Sequence, residues 1–237
     1  MQILADYHTH TQYSHGKGTI EDNVKEAISK GIKTIGISDH GYKHMTYGIK
    51  VKDIYKMREE IDNLKLKYKN IDILLGIECN ILDDNGNIDV DEKILKVVDY
   101  VMAGYHFGST PTSIRGALNH CDNYIFKSKK SKAYNTRAII NAMKKNDIFI
   151  ITHPGDKGDV DIRAIAKVAK ETDTRLEINS SHGFLNVKQL EEIKPIKNKF
   201  IIGSDAHISE NVGNFELAMK IIREANLDLS LVENIKI

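Results

Sequence analysis

The sequence predicts an α/β protein whose parallel sheet is built from strand–helix units and closes as a barrel. Two observations carry this. Short β-branched runs alternate with longer segments of helical period, and the 237 residues, 41% hydrophobic, suffice for one large core, so residues 1–237 are expected to form a single domain. The predicted strands run from Ile3 to Tyr7, Thr34 to Ser38, Ile73 to Ile77, Tyr100 to Ala103, Ile148 to Thr152, Arg175 to Ile178 and Phe200 to Gly203. Between them, helical patterns cover Ile20 to Lys30, Lys52 to Lys69, Ala133 to Lys145, Ile162 to Glu171, Val187 to Glu192 and Phe215 to Ala225. The first helix has a start signal, Thr19 with Asp22 three residues on, and a stop signal in Gly31. In the second, Ile54, Met57, Ile61 and Leu64 keep helical spacing and should face the core.

Two segments depart from this alternation. Asp83-Asp84-Asn85-Gly86-Asn87 reads as a hairpin turn between Ile81 and Ile88, of type I′ because Asn-Gly suits it. It also resembles a calcium loop, but that register puts Ile81 where an acidic ligand is required. Residues 108–132 read as a polar insertion with little periodicity, the kind of loop that serves as a lid or a recognition element.

Composition narrows the function. The formal charge of +1 gives no basic excess for duplex nucleic acid, so an anionic ligand must be held by a local site. Two cysteines, Cys79 and Cys121, make no disulfide framework, the opening MQILADYHTH lacks the apolar core of a signal peptide, and no window reaches membrane-spanning length. A cytoplasmic protein with reduced thiols is expected. There is no Walker-type loop, no dinucleotide glycine fingerprint and no Gly-x-Ser-x-Gly elbow.

The chemistry stands at the strand ends. His8 and His10 follow the first strand, with His15 just beyond; the later strands are followed by Asp39-His40, Glu78, His106, His153, Asn179 and Asp205-x-His207. In a closed barrel these ends converge on one mouth, the face that carries active sites. A single strand-end histidine is ordinarily a hydrogen-bonded structural residue. That many imidazoles with two carboxylates, however, are costly to bury together unless metal pairs them. Nine candidate ligands (His8, His10, His15, His40, Glu78, His106, His153, Asp205, His207) exceed what one or two ions with about three protein ligands each would use. Three divalent ions fit if Glu78 bridges two, and the mixed imidazole–carboxylate set suits zinc, manganese or iron. Asp6 and Asp39 are candidates to orient these ligands, or are ordinary strand-end polar residues.

Asp6-Tyr7-His8-Thr9-His10-Thr11, Ser38-Asp39-His40, Gly76-Ile77-Glu78, Ala103-Gly104-Tyr105-His106, Thr152-His153-Pro154-Gly155, Leu176-Glu177-Ile178-Asn179 and Gly203-Ser204-Asp205-Ala206-His207 resemble, in order, the motifs of the PHP (polymerase and histidinol phosphatase) superfamily, most closely its stand-alone phosphatase branch. The resemblance implies a distorted (β/α)7, TIM-like barrel with a trinuclear metal centre and phosphoesterase activity. By the same resemblance, His8, His10, Glu78 and Asp205 surround one ion, His15, His40 and His207 a second, and Glu78, His106 and His153 a third. The stretch from His106 to His153 is longer than in compact members of that branch.

The expected reaction is in-line attack of a metal-held hydroxide, its ions carried by Glu78, Asp205 and His207, on a small phosphomonoester such as histidinol phosphate. Candidate phosphate-binding cations are Arg115, Arg137 and the cluster Lys127, Lys129, Lys130 and Lys132, the cluster otherwise being a solvated face; His182 is a candidate acid or substrate contact. His44 and His120 are expected at the surface. Rival readings are a nuclease or phosphodiesterase acting on nucleic acid ends, a metal-dependent amidohydrolase, and a non-catalytic metal-binding domain. The sequence does not reveal oligomeric state.

Overall fold

A computed structural model describes residues 2–126 and 128–236; Lys127 of the expected lysine cluster lies outside them. The strands are β1 (Gln2–Ile3), β2 (Ala5–Asp6), β3 (Thr34–Ile37), β4 (Asp72–Asn80), β5 (Tyr100–Gly104), β6 (Ile150–Ile151), β7 (Arg175–Asn179), β8 (Phe200–Gly203) and β9 (Ile235–Lys236). The helices are α1 (Ile20–Ser29), α2 (Val51–Lys67), α3 (Glu92–Leu95), α4 (Ile114–Ile125), α5 (Lys129–Lys145), α6 (Ile162–Glu171), α7 (Val187–Ile193) and α8 (Glu216–Glu224). Strands β2 to β8 form one parallel sheet whose spatial order is its chain order. This is the expected strand–helix barrel, nearly closed. Among the described residues no helix is long and apolar enough to cross a membrane.

The helices form for the reasons their sequences supply. Thr19 Oγ1 accepts from Asp22 N at 3.1 Å while Asp22 Oδ2 accepts from Thr19 N at 3.0 Å, a complete capping box, and Gly31 takes φ +75° just past α1. Ile54, Met57, Ile61 and Leu64 are the buried stripe of α2. One cluster of buried side chains, running from Ile20 to Val232, joins the helices to the outer face of the sheet. A smaller one, Met102, Ile150 and Ile201 packed with Tyr7, Tyr100 and Phe149, fills the barrel interior.

Four expectations need correction. The first predicted strand is two: β1 pairs antiparallel with β9, and only β2 enters the barrel. The 83–87 turn is present, with Ile81 bridged to Ile88, but only Gly86 has positive φ where a type I′ turn needs two such residues. The turn is held instead by Asp83, whose Oδ1 accepts from Asn85 N at 2.9 Å and Asn87 N at 3.2 Å. The third concerns β4, which extends past its expected end and so carries Glu78 within the strand. Finally, the described part of 108–132 is not an irregular loop: Ser113 caps α4 and Ser128 caps α5. The buried face of α4 is polar, Asn119 and Asn123 both donating to Tyr105 Oη at 3.1 Å and to Asn135 Oδ1 at 2.8 and 2.9 Å, so a search for apolar periodicity passes over it.

The sheet does not pair β8 with β2 as strands. The seam is closed above by a Thr9–Ala206 bridge and below by a side chain from the C-terminal segment. Asn234 Nδ2 donates to Ala5 O and Ile202 O, both at 2.8 Å, and its Oδ1 accepts from Ile202 N at 3.0 Å. Asn234→Ala should therefore strand buried backbone groups on both sides of the seam and lower stability by about 2–3 kcal/mol. In a thermal melt that is a fall of roughly 5–10 °C; an unshifted midpoint would show that the seam does not depend on this side chain.

Candidate metal centre

Glu78 lies at the middle of the mouth, fully buried. Its Oε1 is 3.0 Å from His153 Nε2, 3.2 Å from His106 Nε2 and 3.4 Å from His8 Nε2; its Oε2 is 2.8 Å from His40 Nδ1 and 3.7 Å from His10 Nε2. Asp205 Oδ1 stands 3.3 Å from His10 Nε2, 3.5 Å from His8 Nε2 and 3.5 Å from His207 Nδ1. Thus β4 and the segment after β8 bring carboxylates to the imidazoles that follow β2, β3, β5 and β6. Two of these residues, His153 at φ +26° and Asp205 at φ +53°, occupy the left-handed region that non-glycine residues rarely enter, a strain that gathers at functional sites.

Donor atoms within 4.8 Å of one another form four overlapping groups: His8, His10 and Asp205; His8, Glu78 and His153; His40, Glu78 and His106; and His10, His40 and His207. His15 joins by its ring, 4.8 Å from that of His40 and 4.1 Å from that of His207. All nine expected ligands are therefore together. The triangle with His40 and His207 is completed by His10 as well as approached by His15.

The decisive feature is what these atoms lack. His8 Nε2, both nitrogens of His10, His15 Nδ1, His40 Nδ1 and Glu78 Oε2 are buried and make no hydrogen bond. Buried polar atoms are ordinarily satisfied, and so many orphans pointing at one another fit a site built for cations.

Electrostatics agree. Burial would raise Glu78, but His106, His8 and His40 around it hold the carboxyl well below its ordinary range; burial likewise opposes Asp205, which His8, His10 and His182 beside it keep well below. Both stay anionic. Burial, with His40 beside it, pushes His10 well down; burial with His207 and His40 takes His15 down to about 3, and burial takes His106 to about 4 despite Glu78. These rings are neutral, with a lone pair to offer. His8 differs: burial lowers it, yet Glu177, Asp205 and Glu78 together raise it well above the ordinary value.

The rings of the candidate ligands are aimed from behind. His8 Nδ1 lies 2.6 Å from Glu177 Oε1, His106 Nδ1 2.9 Å from Asn80 Oδ1, and His207 Nδ1 2.9 Å from Asp205 O, arrangements that place the proton on Nδ1 and leave Nε2 to the centre. Asn80 is itself fixed by Asp89, to whose carboxylate its N and Nδ2 donate, each at 2.6 Å. The sequence contains the clue to Glu177, a carboxylate inside a buried β-branched strand, though its role emerges only when β7 is placed beside β8. Asp6 and Asp39 hold backbone and hydroxyl groups rather than rings. Asp6 accepts from Ser204 N at 3.2 Å and Gly213 N at 2.9 Å, Asp39 from Thr11 N at 2.8 Å and Ser14 Oγ at 2.5 Å.

Above the ligands opens a cleft of about 520 Å³. His182 lines it, Nε2 3.3 Å from Asp205 Oδ2. Arg115 and Arg137 do not: both pair with Asp84, at 3.3 and 3.2 Å, in a separate groove shared with Lys130. Lys132 pairs with Asp159 at 3.2 Å, and Lys129 and Lys130 are exposed. His44, expected at the surface, lines the cleft, because residues 44 and 109 form an antiparallel bridge that folds both loops over the mouth. His120 is half-buried, its ring hydrogen-bonded to Tyr105 Oη and Ser109. Lys157, which sequence reasoning passed over, lines the cleft four residues after His153.

A family model described as the PHP domain matches residues 6–181. A probable phosphatase of Thermoanaerobacter sp. (strain X514) is 35% identical over 252 residues, covering 99% of this chain and 91% of the relative. One from Clostridium acetobutylicum is 30% identical over 250 residues, covering 99% and 91%. Among solved structures, a histidinol phosphate phosphatase from Lactococcus lactis, complexed with zinc, L-histidinol and phosphate, superposes with a TM-score of 0.66 at 16% identity, covering 96% of this chain and 95% of that one. A histidinol phosphatase structure from Listeria monocytogenes, its assignment marked provisional, gives 0.68 at 17%, covering 88% and 97%. At those identities the shared property is the barrel. The family model, spanning most of the chain, and the relatives aligned along nearly all of it place this protein in the PHP domain family.

Proposed function

We propose that this metal-dependent phosphatase hydrolyses small phosphomonoesters at a centre of three divalent ions. His8, His10, Glu78 and Asp205 would hold one ion, Glu78, His106 and His153 another, and His15, His40 and His207 the third. The donor chemistry suits zinc, manganese or iron. Ions held by these residues would supply Lewis-acid polarisation of a phosphoryl oxygen and an activated water at neutral pH, so that no protein nucleophile would be required. The observation that carries the reading is the convergence of buried, unpartnered nitrogen and oxygen atoms around Glu78.

The chain's own groups do the rest. Glu78 and Asp205 stay ionised and keep the centre's charge in balance, while Glu177 and Asn80 hold His8 and His106 in the tautomer that presents Nε2. His182, between Asp205 and the open cleft, stands where it can hand a proton to a departing alkoxide. The cleft's size accommodates a small ester rather than a duplex. Histidinol phosphate, sugar phosphates and nucleotides are the substrates to compare.

Elemental analysis of purified protein, joined to a screen of phosphomonoesters, a phosphodiester, single-stranded DNA and an amide panel, tests this. Two or more ions per chain, and monoester hydrolysis that disappears on metal stripping and returns on reloading, are expected. Fewer than two ions, or preferred turnover of the DNA or the amides, would overturn it in favour of a nuclease or an amidohydrolase; no turnover with full metal would favour a binding domain.

A further inference from the structure

Resting on the phosphomonoester reading, we infer that Lys157 is the protein's phosphate-binding cation, gripping the phosphoryl oxygens from one wall of the cleft. Among the described residues it is the one lysine or arginine that lines the cleft; the arginines that charge alone recommended line a separate groove. The chain is bent to put it there. After ligand His153 the backbone turns back, Asp156 N donating to His153 O at 3.1 Å, and Gly155 adopts φ +103°, so the next side chain but one reaches the mouth. Asp156 then orients the ammonium, its Oδ2 lying 2.5 Å from Lys157 Nζ.

The two walls of the cleft differ in kind. On the side of Lys157 stand Ser181 and His182; on the other, Tyr47 stacks on His15 at 4.3 Å and on His44 at 5.0 Å, beside Phe107. A phosphoryl group carries its charge on peripheral oxygens that need cationic or N–H donors. The aromatic wall offers no cation, only the neutral His44 ring, whose Nδ1 accepts from Tyr47 N at 3.1 Å, and the Tyr47 hydroxyl, while the imidazoles beneath are committed to the centre. Lys157, a third exposed on a flexible stem, can reach an anion. The aromatic wall is left for the organic part of the ester.

The test uses metal-loaded protein with inorganic phosphate as the probe. Lys157→Ala should weaken phosphate binding in calorimetry, and phosphate inhibition of turnover, by about tenfold or more, the worth of a charge-assisted hydrogen bond. Metal content should be unchanged and Lys157→Arg should recover most of the affinity. Equal phosphate affinity in Lys157→Ala and the parent, or loss of metal from Lys157→Ala, overturns the inference. If the parent binds phosphate through Lys157 yet hydrolyses no phosphomonoester, the phosphatase reading fails and the anion site stands; if it hydrolyses them with phosphate binding indifferent to Lys157, only the anion site fails.

Discussion

Glu78→Ala is expected to reduce phosphomonoester hydrolysis by at least about 10³-fold, a barrier increase of roughly 4 kcal/mol, and to leave the purified protein short of metal. Among the described residues no other side chain meets so many candidate ligands: both its oxygens face imidazoles, His153, His106 and His8 from one, His40 and His10 from the other, all between 2.8 and 3.7 Å. Removing it withdraws the group that two ions would share and one of the charges that hold His8 protonated in the metal-free protein. Glu78→Gln separates the two effects. It keeps the volume and one acceptor but loses the charge, so it should retain the fold and still fall well short in metal content. Kinetics, elemental analysis and a thermal melt on both variants check this; near-parental turnover in either would remove Glu78 from the centre.

The candidate site was legible because its residues stand just beyond the barrel strands, Glu78 alone lying inside one, and those strand ends share one mouth. His-x-His, Gly-Ile-Glu and Asp-x-His each adjoin a short apolar run, so adding the topology was enough to bring them together. What escaped depends on partners the sequence does not pair. Arg115 and Arg137 are claimed by Asp84, a turn residue roughly 30 and 50 positions away. Helix α4 escaped because asparagines, rather than leucines, carry its buried face. His44 was misplaced because the loop after β3 folds onto the loop after β5. The joining of β1 to β9, two residues each, leaves no periodic trace at all.

Glu177 shows how far a residue with no lone pair in the metal cluster can still govern it. Its Oε1 holds His8 Nδ1 at 2.6 Å, while its Oε2 accepts from His153 N at 2.8 Å and Asn179 Nδ2 at 3.0 Å. One carboxylate thus aims the ring of His8, pins the strained backbone of His153 and, through Asn179, whose Nδ2 also donates to Asp205 Oδ2 at 3.1 Å, reaches a third ligand. Space for it is made by Gly203, where a Cβ would come within 2.0 Å of Glu177 Oε1. Removal of such an orienting partner typically costs 10–100-fold in metal affinity or activity. Glu177→Ala should lose that much, and Gly203→Ala, with its neighbour locked by three hydrogen bonds and unable to retreat, should damage the same property without touching any ligand. Glu177→Gln is the informative control. An amide can keep one acceptor on His8 Nδ1, so it should bind metal more tightly than the alanine variant yet less tightly than the parent, because the neighbouring negative charge that strengthens His8 as a donor is gone. Metal titration of the stripped proteins reads this order directly. If all three variants bind as the parent does, His8 is held by the strand alone and Glu177 is an ordinary buried polar residue.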